Sequence, residues 1–328
     1  MTKKPFLINM FVFAFFLLNV WYHYVLHENL SNLKPKADFN NCFIKFYERE
    51  RYFVTNNAQF SREWYGNLQL TTKAQDGFHL VTYFALLSNS FYVNNLRYKL
   101  NDKPTKVQLD ERQQEIEDCL QNNLNNNLIV NVHVLIYHVE IAQYLLNLPL
   151  SNSSKLVLHL TRMDPTVRSS FDYAERYLFD KTIIVMHMDI YLGPGWYNII
   201  QHLQKSSIMY ALTRHSISNN ESCDATNYGT CNVDSSYIGS HDAFAFHMKK
   251  DFSNDMLYDL GQFKSINEGS ENVLIWHFIN SMNYTVLNPC RTLVIYHKHC
   301  IPIRTIERKR VDRNLGKTGR APFTEKLY

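Results

Sequence analysis

Apolar and polar positions along this chain fall into blocks that predict their own elements. "FHLVTYFAL" (Phe78 to Leu86) is apolar, β-branched and aromatic, and reads as a strand. "DERQQEIEDCLQNNL" (Asp110 to Leu124) carries helix formers throughout, acids in its first turn and apolar residues at helical spacing. "LIVNVHVLI" (Leu128 to Ile136) and "KLVLHL" (Lys155 to Leu160) read as a second and a third strand. "PTVRSSFDYAERYLF" (Pro165 to Phe179) reads as a helix with proline near its start, and "TIIVMHM" (Thr182 to Met188) as a fourth strand. The stretch "SNSFYVNNLRYKLNDKPTKV" (Ser88 to Val107) interrupts this order as an irregular insertion. Strands and helices alternating in this way predict an α/β fold, and continuous apolar strands predict a sheet covered on both faces. In such sheets ligands bind beyond the carboxyl ends of the strands.

That rule directs attention to "KTIIVMHMDIYLGPGW" (Lys181 to Trp196), where a buried-looking strand runs into His187 and Asp189 before a Gly-Pro-Gly turn. A buried carboxylate is costly unless it is paired, and a metal ion is one such partner. His187 lies two residues from Asp189, so the two share one face of an extended segment. His297 and His299 have the same spacing in "TLVIYHKH" (Thr292 to His299), a predicted strand, and suit a metal or a diphosphate contact. Asp242 interrupts the apolar run "SYIGSHDAFAF", where a carboxylate has no ready structural explanation. Glu271 opens the predicted helix "ENVLIWHFIN", where the helix dipole alone would stabilise it.

The N-terminal region reads differently. From Pro5 to His27 there is no Asp, Glu, Lys or Arg, and a helix of that length spans roughly 30–35 Å, the thickness of a bilayer core. Trp21, Tyr22 and Tyr24 sit where an interfacial aromatic belt would lie, and Lys3 and Lys4 precede the stretch. A cleaved signal peptide is the competing reading. Both predict a lumenal or extracellular remainder, and the anchor reading predicts a single-pass type II membrane protein. The expected organisation is a cytosolic tail (1–4), an anchor (5–27), a stem (28–74), one catalytic-type domain (75–306) and a basic C-terminal tail (307–328). Asn-x-Ser/Thr at Asn29, Asn152, Asn220 and Asn283 permits glycosylation, and six cysteines permit disulfides. Cys223 with Cys231 and Cys290 with Cys300 are the short-range candidates, leaving Cys42 with Cys119.

Composition narrows the function by exclusion. The 328 residues carry a net charge of only +4, which gives no case for nucleic acid as a partner. Glycine is scarce, with 10 residues, and the chain has no GxGxxG, P-loop, HExxH or GxSxG motif.

Five stretches in order carry a family likeness: "HMDIYL" (His187 to Leu192), "SHDAFAF" (Ser240 to Phe246), "EGSEN" (Glu268 to Asn272), "NPC" (Asn288 to Cys290) and "HKHCIPIR" (His297 to Arg304). With these, the region from Phe78 to Arg304 resembles nucleotide-sugar glycosyltransferases of the GT-A type. It departs from their pattern at His187, where an asparagine is usual, at His241 for glutamine, and at Glu271 for aspartate. The resemblance implies a GT-A-like (Rossmann-like) mixed sheet flanked by helices. It implies a sugar transferred from a nucleoside-diphosphate donor to a glycan, glycoprotein or glycolipid acceptor, with Mn²⁺ or Mg²⁺ assisting. It casts Asp189, His299 and His297 as metal ligands, and Thr82, Tyr83, Arg162 and His187 as contacts to the nucleotide sugar. Glu271 becomes the base for an inverting reaction and Asp242 a contact to acceptor or sugar. With an N-terminal anchor, the expected location is the Golgi or another secretory-pathway membrane. A catalytically inactive carbohydrate-binding or scaffold protein on the same fold is the alternative, and a metal-dependent hydrolase built on His297 and His299 is a third reading.

Overall fold

In the computed structural model the apolar runs of the sequence become neighbouring strands of one sheet. The structure describes residues 77–87, 104–161, 166–216, 231, 240–263, 267–301, 303, 311 and 316–327. All of them belong to one of the two units into which the chain divides, Ile44–Tyr328. Strands β1 (Phe78–Tyr83), β2 (Ile129–Ile136), β3 (Leu156–Leu160) and β4 (Thr182–Met186) lie parallel in the order β3-β2-β1-β4. Their connections hold helices α1 (Lys106–Asn125), α2 (Val139–Asn147) and α3 (Val167–Tyr177). This is the mixed α/β architecture expected from the sequence, and its first half has the strand order of a doubly wound sheet.

After β4 come the short strand β5 (Ile190–Leu192), helix α4 (Ile199–Lys205), β6 (Ile208–Leu212) and β7 (His215–Ser216). Then follow β8 (Ala243–His247), α5 (Asn254–Gly261), α6 (Ser270–Asn280), β9 (Thr285–Leu287) and β10 (Ile295–His297). The main sheet has seven strands in the order β3-β2-β1-β4-β8-β6-β9, with β8 antiparallel to both β4 and β6. A second sheet, β5-β10-β7, forms beside it.

Alternation along each strand divides the interior in two. Phe78 and Leu80 of β1 and Ala243 and Ala245 of β8 join a core with Ile116 and Leu120 of α1, Ile141 of α2 and Leu203 of α4. Val81 of β1 and Phe244 and Phe246 of β8 point the other way, into a core with Phe171 of α3, Met256 of α5 and Phe278 of α6. Because both faces are covered, the strands read as unbroken apolar runs in the sequence.

Several expectations need correction. Helix α1 begins at Lys106, not Asp110, because Thr105 and Gln108 form a capping box and bring the end of the predicted insertion into the helix. Its first turn therefore holds no acid. The cysteine pairing also differs. Cys231 bonds to Cys290 with Cα atoms 6.1 Å apart, Cys300 is disulfide-bonded as well, and Cys119 is a free thiol buried on the inner face of α1. Sequence proximity misled here. The fold brings Cys231 to the Asn288–Cys290 turn by hydrogen-bonding its amide to the Arg214 carbonyl at the end of β6.

Among the described residues no helix is long and apolar enough to cross a membrane. That finding corrects the single-pass, secretory-membrane placement expected from the sequence. Residues 5–27, which prompted it, lie outside the described residues. The chain end returns to the domain, where Asn288 donates its amide to the Pro322 carbonyl and Phe323 bridges to Asn288.

A chain of polar side chains crosses the parallel half of the sheet. His79 of β1 shares a hydrogen bond with His133 of β2 at 3.1 Å. His133 meets the Tyr173 hydroxyl at 2.8 Å, and that hydroxyl meets His159 of β3 at 2.5 Å. All four residues are buried. Burial, with Lys181 close by, pushes His79 down to about 4. Burial pushes His159 to about 3 and His133 well below its usual range. The unfolded chain therefore binds protons that the native state refuses, and stability is lost as pH falls. Urea denaturation should show stability falling from about pH 6.5 towards about 4, with a smaller fall in His79→Gln. A flat profile across that window contradicts this account.

Candidate functional site

The carboxyl ends of β1 and β4 meet the start of β8 at one edge of the sheet, and the second sheet closes over it. Asp189 directly precedes β5, and β5 pairs antiparallel with β10 so that Ile190 lies opposite His297. That register brings together residues more than a hundred positions apart. The Gly-Pro-Gly turn fixes it. Gly193 donates to the Val294 carbonyl at 2.9 Å, and Val294 donates back to that of Pro194 at 3.1 Å. Gly195 has φ +99, and a Cβ there would lie 1.7 Å from the Thr292 carbonyl oxygen, so only glycine fits.

At Asp189 three cationic or imidazole groups converge on one carboxylate oxygen. Its Oδ2 accepts from Arg112 Nη2 at 2.5 Å and lies 3.0 Å from His297 Nε2 and 3.5 Å from His299 Nδ1. Burial alone would raise this carboxyl, but His297 and Arg112 outweigh it and hold it well below the usual range. His299 is itself pushed down to about 4, mainly by burial, so its imidazole is neutral near pH 7. The His299 Nε2 atom is buried with no partner.

Arg112 was not among the residues singled out by sequence. It sits on α1, is 5% exposed, and donates through Nη1 to Glu115 Oε2 and to the Lys298 carbonyl, both at 2.7 Å. Glu115 Oε1 accepts the amides of Cys300 at 2.7 Å and Ile301 at 3.2 Å. Farther along the helix, Asn123 bonds the backbone of Ile190 and Leu192 on β5. One face of α1 thus clamps both segments that carry the Asp-His-His group.

A second ion pair lies alongside. Asp242 Oδ1 accepts from Arg214 Nη1 at 2.9 Å and from Ser240 at 3.1 Å, with His187 Nδ1 at 3.7 Å. Burial would raise this carboxyl too, but Arg214, His187 and His297 lower it, so Asp242 stays ionised. Its Oδ2 is buried without a partner. The neighbouring His241 is 2% exposed with neither ring nitrogen partnered, and burial takes it down to about 4.

Glu271 lies in the first turn of α6, where its Oε2 accepts the Gly269 amide at 3.0 Å. Burial pushes its carboxyl up, with the Asp242 charge adding to the effect. Thr82 is buried near the end of β1, where its hydroxyl donates to the Tyr83 carbonyl at 3.4 Å. The Tyr83 ring is 6.4 Å from that of His187, which puts the ends of β1 and β4 at the same edge. Arg162 lies outside the described residues.

The donor set tests whether a cation fits. Asp189, His297 and His299 form a group whose ligand atoms all lie within 4.8 Å of one another. Contacts of 3.0 and 3.5 Å from Oδ2 to the two imidazole nitrogens suit neighbouring ligands around an ion about 2.1 Å from each. One carboxylate with two imidazoles fits a divalent transition ion such as Mn²⁺ better than Mg²⁺, which prefers oxygen. His215, Cys231 and Cys290 also converge, but the two sulfurs are joined to each other and offer no thiolate.

Fold and site together define an α/β protein with a mixed seven-stranded sheet and a buried, charge-paired polar cluster at its strand ends. No family model and no curated protein matches the chain. Among solved structures it is similar to HddC from Yersinia pseudotuberculosis, at 12% identity over 56% of this chain and 79% of that one, with a TM-score of 0.29. It is also similar to a UDP-glucose pyrophosphorylase complexed with UDP-glucose, at 9% identity over 69% and 91%, with a TM-score of 0.28. Likeness at these scores carries no argument about what this chain binds.

Arg214→Met would leave Asp242 buried with only Ser240 and a distant imidazole, at a cost of about 3–5 kcal/mol. Denaturant unfolding should show that loss, and a change below about 1 kcal/mol would show that Arg214 does not neutralise Asp242.

Proposed function

We propose that this protein transfers a sugar from a nucleoside-diphosphate donor to a hydroxyl group of a glycan, glycoprotein or glycolipid acceptor. One observation carries the reading: side chains from four segments, His187 and Asp189, His297 and His299, Asp242, and Glu271, converge where an α/β sheet receives its ligands. In the reaction, the bond from the anomeric carbon to the diphosphate oxygen breaks and a bond to the acceptor oxygen forms. The diphosphate leaves with the electron pair, and the acceptor proton passes to a base. Stabilising the leaving diphosphate is the largest demand on the site.

Asp189, His297 and His299 would hold a divalent cation, which supplies positive charge to the diphosphate when bound. Glu271 is the base. Its raised carboxyl is a better proton acceptor than Asp242, which Arg214 holds as a fixed anion. Asp242, through its unpartnered Oδ2, is placed to accept a hydroxyl of sugar or acceptor. Thr82, Tyr83, Arg162 and His187 complete the nucleotide-sugar contacts in this reading. The catalytic unit is the segment 75–306.

A thermal-shift screen with UDP, GDP and CMP, with and without Mn²⁺, tests the binding half directly, because a ligand of the native state raises its melting temperature. One nucleotide should give a Mn²⁺-dependent shift that is lost in Asp189→Ala. No shift from a folded sample with any nucleotide would sink the transferase reading. Glu271→Gln should keep that shift while kcat falls by roughly 10²–10⁴. Because burial raises the Glu271 carboxyl, the acid limb of the rate should lie above the ordinary glutamate range.

A second reading, a catalytically silent carbohydrate-binding protein, draws support from the pairing of Asp189 and Asp242 with arginines. Donor binding with no turnover on any acceptor, and no donor hydrolysis, would favour it.

A further inference from the structure

Arg112 occupies an unusual place for a residue beside a cation site. Its Nη2 lies 2.5 Å from Asp189 Oδ2, the oxygen that also faces both histidines. The guanidinium cannot swing away freely, since Nη1 is held by Glu115 and by the Lys298 carbonyl and the side chain is 6% exposed. Glu115 is in turn fixed by the amides of Cys300 and Ile301. The trio Asp189, Arg112 and Glu115 carries one net negative charge. The neighbouring Asp242 is balanced by Arg214, and Asp118 by Lys298. A divalent cation added at Asp189, whose side chain is 13% exposed, would leave one uncompensated positive charge in a largely buried setting, with a guanidinium on the same oxygen. Like charges at such separation repel strongly where water is excluded. A diphosphate brings the missing negative charge.

We infer that Arg112 acts as an internal counter-charge at Asp189 which makes cation binding conditional on a nucleoside diphosphate: the two enter as a pair, and the empty protein holds the cation weakly. The inference rests on the proposed function and specifies its order of assembly. Arg112 is a positioning residue here, since it reaches the cation site through Asp189. Binding reciprocity then requires the diphosphate to be equally dependent on the cation.

The test uses the unliganded full chain and Mn²⁺ alone, with free Mn²⁺ counted by electron paramagnetic resonance, and then repeats the titration with saturating UDP or GDP. The nucleotide should tighten Mn²⁺ binding by roughly ten- to hundredfold. Arg112→Met should bind Mn²⁺ alone about tenfold or more tightly than the wild type, whereas Arg112→Lys, which keeps the charge, should stay near the wild type. Tight Mn²⁺ binding by the wild type without nucleotide overturns the inference while leaving the transferase reading intact. Absence of nucleotide binding under every condition sinks the reading itself, and the conditional pairing with it. If Arg112→Met does not fold, the wild-type titrations with and without nucleotide still decide the matter. Weaker Mn²⁺ binding in a folded Arg112→Met would also overturn the inference, because it would make Arg112 a support for the ligands and not a competitor.

Discussion

One carboxylate oxygen organises this site. Asp189 Oδ2 is where helix α1, the end of β4 and the end of β10 meet, through Arg112, Asp189 itself, and His297 with His299. A buried carboxylate must be compensated, and here compensation comes from elements distant in sequence. The constraint therefore runs outward. α1 has to present Arg112 and Glu115 on its inner face, the Gly193–Gly195 turn has to let β5 pass close to β10, and the segment after β10 has to follow the Glu115 carboxylate. The same contacts bolt helix α1 to the second sheet.

The same arrangement separates the roles of the three site carboxylates. His297 and Arg112 keep Asp189 ionised against desolvation, and Arg214 leads the groups that keep Asp242 so. Glu271 has no arginine partner among the described residues, and burial raises it. Carboxylates pushed apart in this way are what the proposed transfer needs, a permanent anion beside a proton acceptor. The pairing also explains why a motif with a single carboxylate at the end of β4 can still build a charged centre.

Much of the fold was legible because its parallel half is regular. Continuous apolar runs predicted β1 to β4, and a carboxylate beyond β4 predicted the site edge. The two-residue spacing of His297 and His299 singled them out together, and both do face Asp189, although His299 lies beyond the end of β10 and not within a strand. Arg112 was not legible, because within "DERQQE" it reads only as one helix former among others. The available signal was register: Arg112 falls on the same stripe as Ile116, Cys119 and Asn123, all buried, and a charge on a buried stripe needs a partner. Arg214 was hidden because β6 was not recognised as a strand leading to the site. The disulfide pairing was hidden for a related reason, since it depends on which turn the segment after β7 returns to.

The most direct test of the account is a crystal structure with Mn²⁺ and whichever of UDP or GDP binds, with the ion located by its anomalous scattering. The account predicts a peak among Asp189 Oδ2, His297 and His299, with the diphosphate bound to the ion and the sugar-facing end towards Asp242 and Glu271. A nucleotide ordered elsewhere on the sheet, with the Arg112–Asp189 pair unchanged and no peak between the histidines, would contradict it.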